Sequence, residues 1–152
     1  MGYPSIYDRN TTDALTRRIN ALQPRQERRW GKMNVAQMLA HCCIPYEHLG
    51  GERPYDVPLL MRWMVRLFFK RSMTNEVDYQ KNGPTAPSFV VADEKDFSAE
   101  RQRLLNYISK FHRMAPHQME EMRHGSLGRL TATEWSNMLY KHLDHHLRQF
   151  GV

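Results

Sequence analysis

TATEWSNMLYKHLDHHLRQF, residues 131–150, is the stretch that most clearly predicts the fold of this chain. It begins with a capping box, in which the hydroxyl of Thr131 and the carboxylate of Glu134 satisfy backbone N–H groups left free by the first turn of a helix. Apolar residues then recur at helical spacing, and Gly151 supplies a residue at which such a helix ends. The stretch therefore predicts a long amphipathic helix, the fourth main helix of the chain.

Two histidines occupy the centre of the apolar face of this helix. Taking about 100° per residue from Trp135, His142 falls near −20° and His146 near +20°. Because side chains one turn apart lie roughly 5–6 Å apart at Cβ, the two imidazoles can hold a single ion. A lone buried histidine is more often a hydrogen-bonded core residue, but two neighbouring imidazoles both need partners, which one cation supplies. The charged residues predicted on the opposite, polar face are Lys141, Asp144 and Arg148.

A third histidine, His41, is the best candidate to complete a metal site. It lies on a helix predicted over residues 35–49, because Asn34 and Gln37 form a capping box and a pair of glycines ends the apolar pattern. His41 falls near the margin of the buried face, from which it can reach a site between helices. The predicted ligands of one metal ion are His41, His142 and His146.

The other histidines are weaker candidates. His48 shares the side of its helix with the third ligand, so it is the leading alternative ligand. His145 lies at the edge of the apolar stripe and is either a hydrogen-bond partner of a ligand or a surface residue. We favour the surface position. His112 and His117 are predicted to be solvated loop residues. His124 precedes a glycine-rich turn and approaches the site only if that loop folds over it.

Two further main helices complete a predicted bundle. The first covers residues 12–22 and stops before Pro24, and the third covers residues 94–112 behind an N-cap at Asp93. Little β pattern is present apart from a short run at residues 88–91. The sequence therefore predicts an all-α fold, a four-helix bundle in one domain over residues 1–152, with a long crossover between helices 2 and 3.

The crossover, residues 51–92, is rich in proline but contains one apolar stretch, LLMRWMVRLFFKR, at residues 59–71. The stretch predicts an extra helix whose apolar surface is wider than a single core-facing stripe requires. We expect either a homodimer through residues 58–71, an association with an anionic membrane surface, or plain core packing. Three basic residues form a narrow stripe on this helix: Arg62, Arg66 and Lys70.

Composition excludes several classes of protein. Hydrophobic residues make up 41% and charged residues 25% of the chain, so neither a disordered protein nor stable membrane insertion is expected. The net charge of +6 is spread along the sequence without a basic run between aromatics, so we expect no nucleic-acid partner. No secretory signal is found, and the adjacent Cys42 and Cys43 suit neither a disulfide nor a two-cysteine zinc motif. We therefore expect a cytoplasmic protein with reduced thiols.

Two blocks of sequence, at residues 30–42 (WGKMNVAQMLAHC) and 127–150, resemble the DinB-like superfamily, and within it a branch of uncharacterised bacterial proteins. In that superfamily a histidine on the second helix and an H-x-x-x-H pair on the fourth bind a divalent metal at one end of a four-helix bundle. Many members follow the last ligand with Arg-Gly-Gln, whereas this chain has Leu147-Arg148-Gln149. Only the glutamine keeps its place, so no role is carried over from that arginine. The positions that match the superfamily's ligands are His41, His142 and His146.

The resemblance implies a metal-dependent enzyme. Characterised members of the superfamily include S-transferases that use low-molecular-weight thiols, and a thiol-dependent isomerase. We therefore hypothesise a transferase or hydrolase for a small-molecule substrate, with zinc or nickel as the favoured ion and iron or copper also suited to imidazole ligands. Three nitrogen ligands leave a coordination position open for water, thiol or substrate. The sequence identifies no general base, and the alternative is a non-catalytic, metal-binding or stress-associated bundle that acts as a binding protein.

Overall fold

The computed structural model describes residues 2–152, in which six α-helices account for most of the regular structure. The all-α bundle predicted from the sequence is confirmed. The same range contains one small antiparallel sheet, a hairpin of two strands, β1 and β2, each two residues long. The helices are α1 (Arg9–Ala21), α2 (Val35–Leu49), α3 (Leu59–Thr74), α4 (Phe97–Phe111), α5 (Pro116–Glu121) and α6 (Ala132–Gln149).

The hydrophobic core lies between helices α1, α2, α4 and α6. Helix α2 packs most extensively against α4, and α6 contacts α1, α2, α3 and α5. Each fully buried aliphatic side chain in such a core contributes roughly 1.5–3 kcal/mol. Core residues that are at most 1% exposed include Leu15, Ile19, Leu39, Leu104, Ile108, Leu139 and Leu143.

Both predicted capping boxes are present. In α2 the side chain of Asn34 accepts the backbone N–H of Gln37 at 2.9 Å, and the Gln37 side chain accepts the N–H of Asn34 at 2.9 Å. In α6 Thr131 accepts from the N–H of Glu134 at 3.2 Å, and Glu134 accepts from Thr131 at 2.9 Å. These caps begin the two helices that bear the candidate ligands at the residues that the sequence predicts.

The other two main helices differ from prediction at their ends. Helix α1 begins at Arg9, because Asp8 caps it by accepting the N–H of Asn10 at 3.0 Å. Helix α4 begins at Phe97 behind Asp96, whose side chain accepts the N–H of Ala99 at 2.7 Å. The prediction that Asp93 caps this helix was wrong. Asp93 and Asp96 both suit an N-cap, and local pattern alone does not choose between them.

Three short elements were missed. Helix α5 precedes the hairpin, in which β1 (Arg123–His124) pairs with β2 (Gly128–Arg129). The short β pattern noted at residues 88–91 forms no strand, since Pro87–Phe89 form a single 3₁₀ turn. Elements of two to six residues carry too few positions for a periodic pattern to reveal them.

Lys141 was predicted on the polar face of the last helix, and this prediction was wrong. The residue is 2% exposed. Its Nζ donates to the backbone carbonyls of Ser72 at 2.8 Å, Asn75 at 2.9 Å and Val77 at 3.0 Å. The crossover chain after α3 covers this face of α6, which spacing within α6 cannot reveal. Lys141 therefore anchors the crossover to the helix that carries two of the candidate ligands.

Helix α3 keeps its apolar side chains at the surface and turns Arg62 and Lys70 of its basic stripe towards the rest of the protein, whereas Arg66 is exposed. Arg62 donates to the carbonyls of Val57 and Tyr55, and Lys70 lies 3.0 Å from the carboxylate of Glu134. Among residues 2–152, no helix combines the length and the apolar character needed to cross a membrane. The wide apolar surface that the sequence predicts for the crossover helix is present on α3, and its side chains are exposed.

Candidate metal centre

Three histidine rings meet between α2 and α6. His41 comes from α2, and His142 and His146 come from successive turns of α6. One ring nitrogen from each lies within 4.8 Å of the other two, and the ring centroids are 4.6–4.9 Å apart. The structure thus brings together the three residues that the sequence singled out, and this buried group can hold a metal ion.

The burial of the three rings differs. His41 is 4% exposed and His146 is 8% exposed, whereas His142 is half-buried. His41 was expected at the margin of the buried face but lies well inside it. The reason is that the 3₁₀ turn of the crossover, which ends at Phe89, covers its ring.

The crossover fixes the orientation of His41. The Nδ1 atom of His41 lies 2.8 Å from the backbone carbonyl oxygen of Phe89. A carbonyl oxygen accepts hydrogen bonds and cannot donate one, so Nδ1 must carry the proton. In the neutral ring Nε2 then keeps its lone pair, and this is the atom that faces His142. Such an outer hydrogen bond is the usual way in which a metal-binding histidine is oriented.

A relay through Gln149 fixes His146 in the same manner. The Gln149 amide nitrogen donates to the carbonyl of Trp30 at 2.7 Å, which assigns the amide and turns its oxygen towards His146. That oxygen lies 2.8 Å from Nδ1 of His146, so Nδ1 is the protonated nitrogen. Nε2 of His146 is therefore also left as a lone-pair donor. The role of Gln149 gives a physical reason for a glutamine at this place in the last helix.

The third ring, His142, faces His41 directly. Their two Nε2 atoms are 2.9 Å apart, and the His41 atom carries a lone pair. Two facing lone pairs repel each other, so either a proton on His142 or a shared cation must lie between them. Ligand nitrogens of a tetrahedral zinc ion lie about 3.3 Å apart, because each is ~2.0 Å from the ion. This pair of nitrogens needs to open by about 0.4 Å to match that geometry, and the third ring contributes a nitrogen within 4.8 Å of both.

Burial keeps all three rings neutral. Loss of hydration lowers the pKa of His41 and is also the main cause of a pKa of about 3 for His146. It lowers the pKa of His142 well below the usual value, with further lowering from the other two rings. A neutral imidazole is the form that coordinates metals. The site therefore disfavours the charged imidazolium form, so each neutral ring keeps one nitrogen lone pair of the kind that a metal ion requires.

A cavity of about 310 Å³ lies beside the three-histidine group, and His142 forms part of its wall. The rest of the lining is largely apolar and includes Tyr55, Phe89, Met138 and Leu139. This volume is at the lower end of the range for sites that bind small molecules. The cavity gives a small ligand access to the half-buried member of the group.

The remaining histidines are distributed differently from the prediction. His48, the alternative ligand, is outside the three-histidine group and lines the cavity together with His124. His145 is half-buried, with its ring 5.1 Å from that of His146, so the surface position favoured from the sequence was wrong. His117 is exposed as predicted.

His112 was predicted to be a solvated loop residue, and this was wrong. It is 4% exposed, and its Nε2 lies 2.8 Å from the hydroxyl of Tyr46. Its Nδ1 lies 3.4 Å from the hydroxyl of Thr12. The ring follows the last turn of α4 and points between α1 and α2, an arrangement that depends on the packing of three helices.

Comparison with known proteins gives one family match. The sequence pattern of a family described as protein of unknown function (DUF1569) matches residues 7–151. No curated protein and no solved structure matches the chain. The matched range includes all three histidines and the Gln149 relay.

Proposed function

Because the chain belongs to DUF1569, a family of proteins of unknown function, we propose a function from its own residues: it is a metal-dependent enzyme with a three-histidine site. The observation that carries the proposal is the convergence of His41, His142 and His146. Two of these rings have their Nδ1 protons engaged by Phe89 and Gln149, which leaves their Nε2 lone pairs for an ion.

The donor set favours a divalent transition metal. Neutral imidazoles suit zinc and nickel, with iron and copper as further candidates, and which ion occupies such a site depends on availability. Three protein ligands leave at least one coordination position for water or substrate, which is typical of catalytic sites. The cavity beside His142 supports this assignment, because it places space for a small molecule next to the group.

The reaction class that we propose is transfer or hydrolysis. When bound, the ion would lower the pKa of a water molecule or a low-molecular-weight thiol and so make it a nucleophile near neutral pH. The chain's own contribution is to orient the imidazoles and to receive a small-molecule substrate in a largely apolar cavity. The likeness of two sequence blocks to the DinB-like superfamily supports a thiol-dependent S-transferase in particular. A cytoplasmic location stays a prediction from the sequence.

Metal content and activity test this proposal together. The native protein should bind one divalent ion per chain, His142→Ala should lose it, and the exposed control His117→Ala should keep it. Metal-loaded native protein should then turn over electrophilic substrates with thiols or water, and His142→Ala should not. Metal binding without any such difference in turnover would leave a non-catalytic metal-binding bundle.

We also propose that the protein forms a homodimer through α3. Eight large apolar side chains of this helix are each 41–79% exposed, and together they present on the order of 1,000 Å² if a large side chain offers ~200 Å². That area exceeds the usual largest patch on a monomer and matches the roughly 800 Å² that each partner buries in a stable interface. The residues are Leu59, Leu60, Met61, Trp63, Met64, Leu67, Phe68 and Phe69.

The engagement of two of the three basic residues of the stripe favours a second copy over a membrane as the occupant of this face. Arg62 and Lys70 are engaged by the protein's own carbonyls and by Glu134. A helix that lies on an anionic membrane needs its basic side chains free to meet the headgroups. The exposed face of α3 is instead apolar, as in the core of a dimer interface.

A further inference from the structure

Two histidines outside the three-histidine group, His48 and His124, line the same cavity as His142. Neither is required for the proposed metal site. Tyr55 lies between them, with ring centroids 4.8 Å from His48 and 5.6 Å from His124. Their hydrogen bonds show what each ring offers to a molecule in the cavity.

His48 offers a hydrogen-bond acceptor. Its Nδ1 lies 3.1 Å from the carbonyl oxygen of Arg53, so Nδ1 carries the proton. Burial lowers the pKa of His48, which keeps the ring neutral and leaves a lone pair on Nε2. Within residues 2–152, this buried Nε2 has no hydrogen-bond partner. Buried polar atoms are normally satisfied, so a partner from outside the chain is expected here.

His124 offers the opposite group, a donor. Its Nδ1 accepts the backbone N–H groups of Ser126 at 3.2 Å and Leu127 at 3.1 Å, so this nitrogen carries no proton. Burial lowers the pKa of His124 to about 4, so the ring is neutral and its proton is on Nε2. The hairpin turn thus fixes His124 in the tautomer complementary to that of His48.

The two arginines that line the cavity attract an anion only weakly. The guanidinium of Arg53 is already paired with Glu47 at 2.7 Å, and Arg123 is exposed to solvent, which screens its charge. The lone pair of His48 would repel a carboxylate placed against it, since a carboxylate has no proton to donate. The remaining wall, including Leu49, Met73 and Met138, suits an apolar body.

We propose that the cavity binds the apolar body of a substrate whose neutral primary amide or hydroxyl donates to Nε2 of His48 and accepts from Nε2 of His124. The inference rests on the proposed function only in taking the cavity beside His142 as the substrate site. His48 and His124 then determine specificity, because a site built to hydrogen-bond a polar group discriminates against analogues that lack it.

Four small probes test this proposal: benzamide, benzyl alcohol, benzoate and toluene. Binding is measured by NMR titration of the protein as isolated, and again after a chelator has removed bound metal. Benzamide and benzyl alcohol should bind at least about tenfold more tightly than benzoate and toluene in both states. His48→Leu and His124→Leu should abolish the preference, and the exposed control His117→Leu should retain it.

A conservative variant separates hydrogen bonding from structural damage. His48→Gln retains a side-chain acceptor and should restore a preference for benzyl alcohol that His48→Leu has lost. Equal affinity for toluene or benzoate in the native protein would overturn the inference, as would an unchanged preference in His48→Leu. Native protein that keeps its probe preference but binds no metal contradicts the proposed function alone, whereas metal binding without the preference contradicts this inference alone.

Discussion

The Nε2 atoms of His41 and His142 lie 2.9 Å apart, although the two residues are 101 positions apart in the chain. The Nδ1 proton of His41 is engaged by the Phe89 carbonyl, so the Nε2 atom of His41 carries a lone pair. A neutral His142 can donate its Nε2 proton to this lone pair, and a metal ion shared by the rings can take the place of that proton. Because burial lowers the pKa values of His41 and His142, the rings stay neutral, which is the form that coordinates metals.

The Gln149 relay predicts an effect on metal affinity. Gln149→Leu removes the acceptor for Nδ1 of His146, so the ring loses its fixed tautomer and orientation. Zinc affinity, measured by competition with a chelator, should fall by roughly 10–100-fold. The exposed Gln102→Leu serves as the matched control and should bind zinc like the native protein. Unchanged affinity in a folded Gln149→Leu protein would show that the relay does not support the site.

The buried Lys141 predicts an effect on stability. Lys141→Met leaves the carbonyls of Ser72, Asn75 and Val77 without their shared donor. The free energy of unfolding, measured by urea denaturation, should fall by about 3 kcal/mol, because hydrogen bonds to a charged group contribute roughly 1.5–3 kcal/mol each and water replaces part of the loss at these partly exposed carbonyls. The exposed Lys110→Met should change it by less than about 0.5 kcal/mol. A loss as small as that of the control would mean that the crossover does not depend on Lys141.

The apolar face of α3 predicts the oligomeric state. Light scattering should give the mass of a dimer for the native protein and of a monomer for Phe68→Glu, because a charge in a closed two-fold interface meets its own copy. Asn106→Glu, on the exposed side of α4, should remain a dimer. Native protein that is monomeric and binds anionic liposomes would assign the face to a membrane. A monomer that ignores liposomes would also contradict the dimer.

The buried His112 should account for part of the pH dependence of the free energy of unfolding. Burial lowers its pKa to about 4, whereas an unfolded histidine titrates near 6.5. Between these values the unfolded state binds more protons, so stability is highest above pH ~6.5 and falls as the pH drops towards ~4. His112→Gln should reduce this slope by up to about 1.4 kcal/mol per pH unit. The exposed control His117→Gln should leave the slope as it is, and an equal slope in both variants would refute the assignment.

The cavity wall has no room for a side chain at position 125, which is occupied by Gly125. A Cβ atom at this position would overlap the ring of Tyr55, which packs directly against the hairpin turn. Gly125→Ala should therefore displace Tyr55 and lower the free energy of unfolding by about 1–3 kcal/mol. It should also weaken benzamide binding in NMR titrations, whereas Gly83→Ala, in an exposed turn, should not. Native stability and native probe binding in Gly125→Ala would show that the wall is not packed in this way.

The two helices that carry the three histidines could be predicted closely from sequence. Each has a capping box at its start, and both predicted N-caps, Asn34 and Thr131, are observed. The spacing of His142 and His146 along one helix face is a local property, so it also follows from the sequence. The meeting of these residues with His41 depends on packing between helices, but apolar faces predict which sides of two helices meet.

The rest of the site depends on parts of the chain that local patterns do not position. The Phe89 carbonyl that orients His41 lies 48 residues away, in a crossover whose path no periodicity describes. The same crossover explains why Lys141 is buried. His124 joins the cavity through a hairpin of two-residue strands, too short to be recognised from alternation. A lone residue such as Gln149 carries a signal only through the motif in which it stands.

Anomalous diffraction from crystals of the zinc-loaded protein would show directly whether His41, His142 and His146 share one metal ion. We expect a single strong peak within ~2.0–2.1 Å of the Nε2 atoms of all three rings, with the open coordination position towards the cavity. Rings that stay hydrogen-bonded to one another, with no peak between them at saturating zinc, would contradict the proposed metal site.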